Sequence, residues 1–198
     1  MKEYYQKATP TDHEIIDIIK DRWSPRTFAD DPIEVKNLKR LFEAARWAPS
    51  SNNWQPWVFI YGAKGDGVYD RIMNCLVEFN QGWAKQAPLL MLTGYKKDRP
   101  DGKENFHALH DLGLSVGNMQ NQATAMGIMM HQMAGVKFDE AKKEFKLPEN
   151  YHIATAIALG YPGGEVGELP DDLQKEERKN RSRKSQSEFV FNGDFSES

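Results

Sequence analysis

The chain has 198 residues, 39% of them hydrophobic and 28% charged, with a net charge of −3 at neutral pH. That length fits one domain with a real core, and the near-balanced charge gives neither the basic footprint of a nucleic-acid binder nor a polybasic membrane patch. Small ligands are the expected partners, and a mean hydropathy of −0.70 leaves room for a partner chain to cover part of the apolar surface. Cys75 is the single cysteine, which excludes disulfide scaffolding and thiolate metal clusters within one chain and fits a reducing compartment. The start at Met1 lacks the apolar core of a signal peptide, and no run of about 18 apolar residues occurs. A cytoplasmic protein with no membrane segment is expected.

Thr11 and Glu14 have capping-box spacing, so a short amphipathic helix carrying Ile15, Ile16, Ile18 and Ile19 is predicted to end before Ser24 and Pro25. Asp31 and Pro32 open a second helix, in which Val35, Leu38, Leu41, Phe42 and Ala45 recur at three- and four-residue steps before Pro49 stops it. Residues 57–61 and 89–93 read as buried strands. Val68 to Phe79 reads as one helix between them, and residues 96–105 as an exposed loop.

From about His107 to Met126, the residues Leu109, Leu112, Val116, Met119, Ala123 and Met126 form a heptad-like seam. Gly113 and Gly117 lie on a neighbouring face, at a propensity cost of about 1 kcal/mol each, where a second backbone could approach. Gly127 ends this helix. A short strand over 128–130, a helix capped by Asp139 and an apolar strand over 152–159 complete a mixed α and β order. Beyond Leu169 the chain is charged, and Lys175, Arg178, Lys179, Arg181, Arg183 and Lys184 read as a solvated tail. A strand-like signal from Glu188 to Gly193 indicates that this tail docks.

The run Arg22-Trp23-Ser24-Pro25-Arg26-Thr27-Phe28 cannot be helix interior because of Pro25. Alternate residues of an extended segment share a side, so Arg22, Ser24 and Arg26 are predicted to form an anion cradle. A pair of surface salt bridges reads equally well from these residues alone. In the second run, Pro49, Ser50, Ser51, Asn53 and Gln55 place hydroxyls and amides beside Trp54 and Trp57. Amides offer the mixed donors and acceptors that a planar polar-edged ligand needs, with an ordinary helix-stopping loop with buried tryptophans as the alternative reading.

Both runs resemble FMN-binding segments of the nitroreductase family, and the resemblance extends in order from Arg22 to Arg183. It implies an α+β sandwich with a central mixed, mostly antiparallel sheet flanked by helices, in one domain spanning residues 1–198. The molecule would be a domain-swapped homodimer, with residues 170–198 docking on the partner subunit and FMN at the interface. Arg22, Trp23, Ser24 and Arg26 would hold the phosphate and ribityl chain, with Pro49, Ser50, Ser51, Asn53 and Gln55 reaching the flavin from the partner. Asn80 would reach the ring or ribityl chain. Some relatives carry a lysine three residues later where this chain has Trp83, which leaves Arg26 to supply the positive charge.

In the segment from His131 to Gly135, the resemblance places Met133, Ala134 and Gly135 at the flavin, with the backbone N–H groups of Ala134 and Gly135 toward N5 and O4. Small residues permit such an approach. His131 reads more readily as a core or strand-end histidine than as a catalytic acid. Arg181 and Arg183 match the family's basic pair over the FMN phosphate, so three guanidiniums would face one dianion. The implied activity is ping-pong reduction of nitroaromatics, quinones or similar acceptors with NADH or NADPH, the chemistry lying at flavin N5 with no catalytic side chain. Other FMN reactions on this fold, dehalogenation or dehydrogenation, and a non-catalytic flavin-binding dimer are the alternatives.

The residues from Gly62 to Gly67 match neither a dinucleotide fingerprint nor a P-loop. His107 and His110 lack the companions of a metal set. Gly113-Leu114-Ser115-Val116-Gly117 has Gly-x-Ser-x-Gly spacing, but Ser115 lies within the predicted helix rather than at a strand-to-helix elbow, so a serine hydrolase has no support.

Overall fold

The computed structural model describes residues 7–195. Four strands, β1 (Trp57–Ala63), β2 (Leu89–Lys96), β3 (Met129–Met133) and β4 (Tyr151–Gly160), form one sheet in the order β1-β2-β4-β3. Each of its three pairings is antiparallel. The central strands β2 and β4 are nearly continuous apolar runs because both faces of the sheet are covered. One face packs on a cluster containing Trp23, Phe28, Ile72, Leu76, Trp83 and Ile153, and the other on a cluster containing Leu38, Leu41, Leu112, Val116, Met119 and Ile157. An α+β sandwich with helices flanking the sheet is thus the observed architecture.

Seven helices surround the sheet among the described residues: α1 (Asp17–Asp21), α2 (Val35–Arg46), α3 (Gly67–Asn74), α4 (Glu78–Ala84), α5 (Ala108–Ala125), α6 (Phe138–Glu144) and α7 (Asp171–Arg178). α2 turns Leu38, Leu41 and Ala45 inward, as its spacing predicts. α5 buries Leu112, Val116, Met119 and Ala123 against the sheet and α2, and Ser115 Oγ donates to Ala45 O at 3.0 Å. Leu109 leaves the predicted seam. It is 57% exposed, on an outer face with Phe106 and Leu114, and a Cβ on Gly113 or Gly117 would meet only open space.

Several local expectations are corrected. The Thr11–Glu14 capping box does not form: α1 begins after Ile16 with no side-chain cap, and the Thr9 hydroxyl bonds to Lys20 O instead. α2 starts at Val35 rather than near Pro32, and Asp139 lies inside the first turn of α6 rather than capping it. The single helix predicted from Val68 to Phe79 is two, α3 and α4. Between them Leu76 bridges Val136, Val77 N–H donates to Gly135 O at 3.1 Å, and Lys137 N–H donates to Cys75 O at 2.8 Å. A strand-like tie outweighs helix continuation there, and it delivers α4 to the end of β3.

The charged tail is ordered in part. Leu169 and Leu173 enter the first core cluster, so α7 packs on the core of its own chain. Gln186–Glu188 forms a 3-10 turn under a capping box of Ser185 and Glu188, where a strand was expected to begin, and Phe189 and Val190 are exposed.

Candidate functional site

Residues from the two ends of the chain meet at one cavity. Arg22 follows α1, while Arg181 and Arg183 follow α7, and the three line a cavity of about 260 Å³ with Thr9, Thr11 and Ser182. Among the described residues no acidic side chain lines it. Arg181 Nη1 donates to Lys20 O at 2.8 Å and to the Thr9 hydroxyl, which fixes the tail against the residues preceding Arg22. Arg22 Nη1 approaches Ser24 Oγ at 3.4 Å. Burial lowers the pKa of Arg22, and the charges of Arg181 and Arg183 lower it further. The same causes act on Arg181, burial first and then Arg183. Like charges gathered in a half-buried cavity are relieved by an anion, and guanidiniums suit phosphate oxygens in particular.

Arg26 does not share this cavity. The chain bends at Arg26 before Phe28 bridges Pro162, which breaks the predicted alternation. Glu177 of α7, 1% exposed, holds Arg26 instead: its Oε1 accepts the Arg26 backbone N–H at 3.0 Å and its Oε2 accepts Nη1 at 3.3 Å. The guanidinium carbon lies 6.0 Å from the centre of the Trp83 ring. Arg26 Nε is buried without a hydrogen-bond partner among the described residues.

A second cavity of about 310 Å³ opens beside Arg26, lined by Phe79 and Asn80 from α4 and by His131, Met133, Ala134 and Gly135 from β3 and its end. Asn80 is held from both sides. Its Nδ2 donates to Gly135 O at 3.1 Å, and its Oδ1 accepts from Trp83 Nε1 at 3.3 Å. A Cβ on Gly135 would come within 2.5 Å of Asn80 Nδ2, so only glycine fits there. Met133 is 3% exposed and belongs to the core, so its side chain supports the cavity floor from beneath. The His131 ring packs against Trp83 at 4.4 Å between centres, tilted by 44°, and its Nδ1 donates to Pro25 O at 2.9 Å in the neutral tautomer. Burial is the chief cause that brings its pKa down to about 4. A histidine kept neutral and packed against a tryptophan is a structural element of the cavity wall.

The Pro49–Gln55 loop stands elsewhere. Ser50 Oγ accepts the Gln55 N–H at 3.0 Å, and Asp111 of α5 accepts the Ser51 N–H at 3.1 Å. Asn52, Asn53 and Gln55 have φ of 48°, 56° and 48°, a left-handed run that amides tolerate better than branched side chains. Met133 lies level with Ala156, Leu92 and Ile60 across the sheet, whereas the loop enters β1 at Trp57. Three strand spacings, about 14 Å, therefore separate the two edges. The cavity beside the loop, about 340 Å³ and lined by Trp54, Gln55, Trp57 and Tyr151, includes no residue of the other two. One chain does not bring this loop to Asn80 or Arg22.

A further cavity of about 1280 Å³ lies between residues 27–31 and 162–168 and takes in only Trp23 of the predicted residues. Its walls mix both charges with glycines. Size alone does not make it the site.

Asp111 and Glu177 were missed by sequence reasoning. Each is a buried carboxylate that fixes a predicted residue, Asp111 acting on Ser51 and Glu177 on Arg26. For Asp111 the signal was a charge on the core-facing side of α5. For Glu177 no signal separated it from the other charges of the tail.

A four-stranded antiparallel sheet covered on both faces, together with an arginine-lined cavity, defines an α+β sandwich with a candidate anion site. The chain matches the sequence pattern of the Nitroreductase family over residues 19–76 and 63–161 and belongs to that family. It is 27% identical over 169 residues to a Streptomyces coelicolor protein named as an NADH dehydrogenase/NAD(P)H nitroreductase, covering 74% of this chain and 82% of that protein. A Bacillus subtilis NAD(P)H nitroreductase is 26% identical over 165 residues, with 74% and 83% covered. A crystal structure of an oxidoreductase containing FMN superposes with a TM-score of 0.89 at 28% identity over 96% of both chains.

Proposed function

We propose that this chain is an FMN-dependent oxidoreductase that uses NADH or NADPH to reduce nitroaromatics, quinones or similarly electron-poor acceptors. The observation that carries the reading is the convergence of Arg22, Arg181 and Arg183 on a cavity that no carboxylate of the described residues lines. FMN, when bound, supplies the redox chemistry, taking hydride from the nicotinamide and passing electrons to an acceptor that replaces it. The residues present fit that group at both of its ends. Arg22, Ser24, Arg181 and Arg183 hold the phosphate, while Trp23, buried beneath them, keeps the segment in place. Arg26, with its unpartnered Nε, supplies positive charge where the reduced ring becomes anionic. Asn80 is oriented by Trp83 and Gly135 to hydrogen-bond the cofactor, and the small Ala134 and Gly135, above Met133, let backbone amides approach it.

The functional unit in this reading is a homodimer. Pro49, Ser50, Ser51, Asn53 and Gln55, remote from their own chain's cavity, complete the site of a second copy. The outer face of α5, with exposed Leu109 and open Gly113 and Gly117, meets its counterpart. Residues 1–198 form one domain, and the segment beyond α7 reaches the partner. No helix among the described residues is long and apolar enough to cross a membrane, and we place the enzyme in the cytoplasm.

Stopped-flow absorbance tests the activity. Purified yellow protein mixed with NADH or NADPH is expected to bleach and to recover its colour when a quinone is added. Failure of both nucleotides to bleach it would contradict the reductase reading.

A further inference from the structure

We infer that Glu177 is a positioning residue for Arg26, and that it sets how much of the Arg26 charge the ring-side cavity feels. Its carboxylate is the only buried acidic group that contacts a residue of this cavity among the described residues, and it grips Arg26 twice, through the backbone and through the guanidinium. The first bond fixes where the chain bends, and the second fixes where the charge sits. Both Glu177 oxygens are engaged, and the side chain is 2% exposed, so water screens the pair weakly. The cavity wall therefore presents a largely compensated ion pair rather than a free guanidinium. Lys7, whose Nζ lies 4.9 Å from the centre of the Trp23 ring, adds a second positive charge that Glu177 faces.

The consequence reaches the cofactor, and here the inference rests on the FMN reading. Reduced flavin carries a negative charge that oxidised flavin lacks. A compensated wall favours the reduced form less than a free arginine would. The helix that carries Glu177 in its last turn also leads directly to Arg181 and Arg183, so the tail element that brings cations to one end of the site moderates the cation at the other.

The test is the midpoint potential of FMN bound to the full-length protein, measured against a reference dye, in wild type, Glu177→Gln and Glu177→Asp. Gln keeps an acceptor for the Arg26 N–H and removes the charge, whereas Asp keeps the charge. For Glu177→Gln the ratio of reduced to oxidised FMN affinity is expected to rise about fivefold, the order of one weakly screened charge, which is about 20 mV upward for a two-electron couple. Glu177→Asp should stay within about twofold of wild type, roughly 10 mV on the same scale. An unchanged or lower potential in Glu177→Gln, or equal shifts in both variants, would overturn the inference.

Should Glu177→Gln not accumulate as folded protein, the double variant Arg26→Gln/Glu177→Gln leaves no buried charge and carries the comparison. Its potential should lie close to wild type, because a compensated pair has been removed. A fall as large as the loss of a free cation would overturn the inference. Wild-type protein that takes up no FMN refutes the FMN reading itself, whereas normal FMN uptake with identical potentials refutes only the role of Glu177.

Discussion

Replacing Gly135 with alanine strikes the junction on which the ring-side cavity depends. The new Cβ would lie 2.5 Å from Asn80 Nδ2 and 2.7 Å from Val77 Cγ2, whereas ordinary contact begins at 3.4 Å. Neither neighbour can yield cheaply. Asn80 is tied to Gly135 O and to Trp83, and Val77 N–H is bonded to the same Gly135 carbonyl. Overpacking of this kind costs about 1–3 kcal/mol, and a strained or lost Asn80–Gly135 bond adds about 1 kcal/mol. Urea denaturation of the flavin-free protein should therefore show a loss of roughly 2–4 kcal/mol with an unchanged slope. Asn80→Ala removes the nearer obstacle, so Gly135→Ala/Asn80→Ala should fall short of the sum of the single losses by at least about 0.5 kcal/mol. Gly135→Ala within about 0.5 kcal/mol of wild type, or strict additivity of the pair, would refute this packing.

Other expectations follow from the same contacts. Arg183→Ala should weaken FMN retention by about 1–3 kcal/mol, read by flavin fluorescence quenching; unchanged affinity would remove the tail from the site. His131, with its pKa lowered by burial from 6.5 to about 4, binds a proton more readily in the unfolded chain. Its contribution of about 3 kcal/mol is present in full above pH 6.5 and is lost as pH falls toward 4. His131→Asn should flatten that part of the pH–stability curve, and an identical acid profile would contradict the neutral, buried histidine. Gly62→Ala sets a Cβ 2.2 Å from the Tyr69 backbone nitrogen, so a loss of at least about 2 kcal/mol is expected by thermal unfolding. A melting temperature equal to wild type would place α3 further from β1.

Elements governed by their own periodicity were legible in the sequence. The spacing in α2 and α5 marks most of the residues that are buried, with Val35 and Leu109 at the helix starts left exposed, and the apolar runs of β2 and β4 mark the strands covered on both faces. The break between α3 and α4 was not legible, because it is caused by Val136, sixty residues downstream of Leu76. Part of the site was equally readable: Arg22, Arg181 and Arg183 do meet, as charges of one sign seldom do without a ligand to justify them. The common side predicted for Arg22 and Arg26 failed for a tertiary reason, since Glu177 draws Arg26 away and the chain bends there. Asp111 fixes the Ser51 loop through a backbone bond that no motif records.

The phosphate grip is tested most directly by titrating the purified flavin-free protein with FMN and, separately, with riboflavin, which has the same ring and no phosphate. Three guanidiniums acting on a dianion predict that FMN binds at least about 100-fold more tightly than riboflavin, and that Arg22→Ala sharply narrows this gap. Equal affinity for the two ligands, or no uptake of FMN at all, would contradict the account.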